Sequence, residues 1–135
     1  MKQRGSVAID VSMGVCFILI PLLLLVTSVP GWLAAHEIAS TAAREAARAA
    51  VVEPTSEAAR IAAQEAAALV VNERSSDIGF LGVELKGEWD RGEVIEVTVS
   101  VSAPPIWVPL WGTVGDGYQV SAGSSERIGE WRSLE

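Results

Sequence analysis

The chain is poor in the residues that staple small domains and build reactive centres. Cys16 is its only cysteine, which excludes an intrachain disulfide and a Cys-based metal site. His36 is its only histidine. It has no companion cluster and reads as a solvated interfacial side chain. Basic residues are scarce, 10 against 17 acidic ones, for a net charge of −7. An acidic body excludes nucleic acid as a partner, because phosphate binding needs a basic face. No catalytic constellation and no metal-ligand spacing is present, so the chain reads as a non-enzyme with no cofactor. The glycine-rich stretch from Gly112 to Gly117 lacks the lysine and the following helix of a phosphate loop. With 135 residues there is room for one small domain.

What is present is unevenly distributed. Val11 to Ala35 holds no charged residue. As a helix that stretch reaches roughly 37 Å, enough to cross a hydrocarbon core of about 30 Å. Pro21 and Pro30 interrupt it and predict bends. Trp32 falls near its outer end, where an indole suits the headgroup layer. Lys2 and Arg4 flank the run on one side and Glu37 is the first charge on the other, which puts the N-terminus in the cytoplasm and the rest outside. A cleaved secretory signal fits less well. Asp10 stands at the start of the apolar run, and a cut after Ala35 would leave Leu33 at the −3 position, where a small residue is preferred. The residues before Cys16 are Met13, Gly14 and Val15, a poor fit to a lipidation site. Asp10 is the odd residue: a carboxylate carried to the membrane centre costs up to roughly 3 kcal/mol. It either snorkels to the cytoplasmic interface or awaits a partner.

Helical periodicity continues past the membrane. Ala35, Ile38, Ala39, Ala42, Ala46 and Ala49 share one face, with His36, Glu37, Ser40, Thr41, Arg44, Glu45 and Arg48 opposite. Pro54 ends this helix near Val52. A second helix is expected from about Thr55 to Asn72, capped by Thr55 or Ser56, with Ala59, Ala62, Ala63, Ala66, Leu69 and Val70 as its apolar face.

From Gly79 the period becomes two. Val83 and Leu85 lead to the turn Asp90-Arg91-Gly92, followed by a strand carrying Ile95, Val97, Val99 and Val101. Pro104, Pro105 and Pro109 end it, Pro104 to Gly112 reads as an unusually apolar connection, and Tyr118 to Arg127 reads as a last strand. Trp107 and Trp111 in that connection either close the core or form a contact patch for a partner or the membrane. Two tryptophans in one proline-stiffened loop are not expected to be equally buried. Trp107 is expected to be the more buried and Trp111, beside Gly112, to lie nearer the surface.

Residues Arg4 to Val11, the apolar run, and the stretch from Thr41 to Ala50 (TAAREAARAA) together resemble the TadE-like family, pilin-like proteins of tight-adherence (Tad/Flp) pilus systems. The Val/Thr strand, apolar proline loop and final small-residue strand also resemble that family. The resemblance implies a type IV pilin-like α+β fold: a long membrane helix continuing outside, a second alanine-rich helix, and an antiparallel sheet of two to three strands. It implies a basic leader at 1–5, a transmembrane helix at 6–35, an extracytoplasmic continuation at 36–53, a second helix and linker at 54–78, and a β-rich region at 79–135. It further implies cleavage between Gly5 and Ser6 by a prepilin peptidase. Asp10 would become mature residue five, where the family normally has Glu, and Val11 stands where an aromatic is common. The implied role is a minor pilin or pseudopilin in the bacterial plasma membrane. Its partners would be other pilins or pseudopilins, the membrane assembly platform and the lipid bilayer, with Asp10 mediating subunit docking. The alternative is a single-pass envelope protein with a binding domain and no assembly role.

Overall fold

The computed structural model describes residues 3–108 and 111–130, and side chains from residue 8 onward within that range. The N-terminal helix α1 runs unbroken from Gln3 to Val51, with Pro21 and Pro30 inside it. The expected membrane helix and its continuation are therefore one uninterrupted helix. It stops two residues before the position that Pro54 restricts.

Thr55 then takes extended backbone angles and its hydroxyl accepts from the Ala58 amide at 3.2 Å, starting helix α2 (Ser56–Arg74). In the first turn Arg60 donates to Glu57 at 2.6 Å. The guanidinium holds the Glu57 carboxyl below its ordinary value, first through the hydrogen bond and then through its charge. Both side chains are exposed, so the pair contributes little to stability.

Three strands form an antiparallel sheet in the order β1 (Gly79–Lys86), β2 (Val94–Ala103), β5 (Tyr118–Arg127). Ile95, Val97, Val99, Val101 and Ala103 of β2 are buried, as are Val120 and Ala122 of β5, so alternation gives the sheet one apolar face. The other face is polar, with the Ser100 and Ser121 hydroxyls 2.8 Å apart across paired strands.

The C-terminal half of α1 is the spine of this body. It packs on α2 and also on β2 and β5, while α2 reaches β1. Two partners require a wide stripe of small residues. Ala43, Ala47 and Ala50 are buried with Ala35, Ile38, Ala39, Ala42 and Ala46, whereas Ala49, expected on the apolar face, is half-buried. On α2 the buried line is Ala59, Ala63, Ala67 and Val71, and Leu69 is exposed. The expected α2 stripe is thus rotated. Alanine on both helices permits close approach, and a leucine in the seam would hold them apart.

The stretch from Pro104 to Gly117 is not a plain connection. Strands β3 (Ile106–Val108) and β4 (Gly112–Val114) pair as a separate antiparallel hairpin. Its base is pinned: Gly117 has φ +91, and a Cβ there would meet the Ala103 carbonyl oxygen at 2.5 Å. Pro109 and Leu110 lie outside the described residues.

Candidate functional site

The helix α1 has two chemically different halves. From Ile9 to Leu33 its large apolar side chains are exposed, and only Leu24 and Ser28 in the 8–34 stretch are partly covered. Among the described residues this is the one helix long and apolar enough to cross a membrane. Its hydroxyls are spent on its own backbone. Ser12 donates to the Ala8 carbonyl at 2.7 Å, Thr27 to Leu23 at 2.9 Å, and Ser28 to Leu24 at 2.8 Å. These bonds let polar side chains sit in an apolar run without unsatisfied donors.

Asp10 is exposed on this bare half, near the N-terminal end of the helix, and no ion pair to it occurs among the described residues. Gly5 and Ser6 lie within α1 by backbone, but the Ser6 side chain lies outside the described residues.

At the other end, the Trp32 and His36 rings stack with centroids 5.4 Å apart. That contact accounts for the histidine. No group of His, Cys, Asp and Glu that could hold a metal ion occurs among the described residues.

The two hairpin tryptophans do not divide as expected. Trp107 is 63% exposed and Trp111 70% exposed, so Trp107 is not a core side chain. The reason is alternation within β3. Val108, 7% exposed, turns toward α1, and Trp107 beside it must point away. The core does not need either indole, because β2, β5 and the alanine helices already close it. Both tryptophans are thus available for contact, and Trp111 is held at the hairpin end by its amide donating to the Val108 carbonyl at 3.2 Å.

Ile106, Val108 and Val114 were not singled out from the sequence, yet they form the hairpin side against Leu24, Leu25 and Ser28 of α1. Tyr118 stands at the same junction, near Gly31 and Trp32. The signal for Ile106 and Val108 in the sequence was their place in an unusually apolar connection, and for Tyr118 its place at the start of the last strand. The grooves between hairpin and helix are open and mostly apolar, the larger two about 340 Å³ each. Nothing in their lining resembles an acid–base pair or a nucleophile. No family model, curated protein or solved structure matches the chain.

Proposed function

We propose that the chain is a minor pilin or pseudopilin of a Tad-type, type IV-like pilus or secretion system, without catalytic chemistry of its own. In this reading α1 anchors it in the bacterial plasma membrane, N-terminus cytoplasmic and sheet outside. One observation carries the reading: a single helix is bare and apolar over one half, marked there only by the Asp10 carboxylate, and forms the spine of a small α+β body over the other.

A bare apolar half is stable in lipid and equally stable among other apolar helices. Apolarity alone therefore gives no preference for assembly. A carboxylate does. If a prepilin peptidase cuts after Gly5, Ser6 acquires an ammonium, and in a low-dielectric bundle the Asp10 of one subunit attracts it strongly. That attraction favours lateral docking on pilins or the assembly platform and fixes axial register.

Asp10→Ala tests this. The variant should insert normally, because a polar group leaves the apolar helix, and should co-purify more weakly with pilin partners. Unchanged recovery of the same partners would remove Asp10 from the docking contact, whereas a wild-type chain that recovers no pilin partner would favour the envelope protein with a binding domain and no assembly role.

A further inference from the structure

The β3–β4 hairpin lies outside the three-stranded sheet and alongside the bare half of α1. Ile106, Val108 and Val114 face Leu24, Leu25 and Ser28, and Ile106 with Tyr118 faces Val29 and Trp32. The hairpin therefore stands level with the segment from Leu24 to Trp32. Trp107 and its register partner Thr113 occupy the opposite face, and both are exposed.

That level decides what covers the hairpin. If the hydrocarbon begins at Asp10, a 30 Å core takes about 20 helical residues and ends near Pro30, which immerses the hairpin's level. If it begins at Arg4, the core ends near Leu24 by the same rise, and the hairpin meets the headgroup layer. Neither placement leaves the hairpin in bulk water. Its chemistry agrees: in a chain of net charge −7, Pro104 to Gly115 contains no charged residue at all. Its open strand edges set the depth. Unpaired amides and carbonyls are not tolerated in hydrocarbon facing lipid, but they find water and phosphate among the headgroups. Indole rings favour that same layer. The hairpin leaves the sheet at the Ala103–Tyr118 pair, where Gly117 approaches the Ala103 carbonyl closely.

We propose that the β3–β4 hairpin is a second membrane-contacting element, seated in the outer headgroup layer of the phospholipid bilayer with Trp107 and Trp111 as its anchors. Two contacts, the helix and the hairpin, then fix the rotation of the sheet relative to the membrane plane. The inference rests on α1 crossing the membrane and is independent of pilus assembly.

The test uses the full chain with Cys16→Ala, in phosphatidylethanolamine/phosphatidylglycerol vesicles. Single nitroxide labels are placed through Trp107→Cys, through Thr113→Cys (which keeps both tryptophans), through Phe17→Cys inside the helix, and through Arg91→Cys. Arg91 lies in the turn before β2, at the strand end remote from the hairpin. Collision with oxygen and with a water-soluble nickel chelate is read at each. The expected result is nickel access at 107 and 113 several-fold lower than at 91, with oxygen access between the values at 91 and 17. Nickel access at 107 and 113 equal to that at 91, with 17 still shielded, overturns the hairpin inference and leaves the anchor standing. Shielding at 107 and 113 that vanishes as protein is diluted with lipid identifies a second copy of the chain as the cover and also overturns it. Nickel access at 17 overturns the inference together with the membrane anchor beneath it.

Discussion

The pinned base of the hairpin makes a prediction that can be separated into parts. Gly115 and Gly117 both have left-handed backbone, φ +84 and φ +91. A Cβ at Gly115 meets nothing within 4 Å, whereas one at Gly117 meets the Ala103 carbonyl oxygen at 2.5 Å. Gly115→Ala therefore carries backbone strain alone, about 1–2 kcal/mol. Gly117→Ala carries similar strain plus a clash with rigid backbone, a further 1–3 kcal/mol on the scale of overpacked interiors. In a domain of this size each kcal/mol lowers Tm by about 4–8 °C. The assay is a thermal melt of the full chain in detergent micelles by near-UV circular dichroism, where half-buried Trp89 and Tyr118 report on the body. The expected order is wild type, then Gly115→Ala, then Gly117→Ala. Indistinguishable melts for the two variants would refute the close approach at Ala103 and with it the fixed hairpin base.

Ile95 is 1% exposed in the sheet core, so Ile95→Ala should cost about 2–5 kcal/mol, and an unshifted melt would place it outside the core. Trp107→Ala and Trp111→Ala, both at exposed positions, should each change stability by no more than about 0.5 kcal/mol. A severe loss for either would return that indole to the core. Asp10→Ala should spare insertion and weaken partner recovery, as measured by co-purification from membranes.

Long periodic segments were legible from sequence because their signals are redundant. The apolar run, the alanine repeats and the Val-x-Val-x-Val alternation of β2 each repeat their pattern over several turns or pairs, and α1, α2, β2 and β5 follow them closely. The faces were less legible where alanine dominates. Ala43, Ala47 and Ala50 look like Ala49, and only the presence of two partners, α2 and the sheet, decides which are covered. Leu69 shows the same ambiguity: it is the larger residue, yet the shallow seam takes Ala67 and Val71 and leaves Leu69 outside.

The hairpin was missed for a different reason. Its strands are three residues each, too short for period two to stand out, and prolines on both sides argued for a loop. Tryptophan content then suggested core. A small body rich in alanine and valine already closes without them, and the exposed indoles lie on a hairpin beside a helix long and apolar enough to cross a membrane. Asp10 was legible as an anomaly from its neighbours alone, since no other charge falls between Arg4 and Glu37.

The pilin-like reading stands most directly on what happens at the Gly5–Ser6 bond. N-terminal sequencing of the mature protein, recovered from membranes of cells that also express its cognate prepilin peptidase, reads that bond without any assumption about partners. The account predicts a chain that begins at Ser6, with Gly5→Leu blocking the cut. A mature protein that retains Met1 to Gly5 in the presence of that peptidase would contradict it.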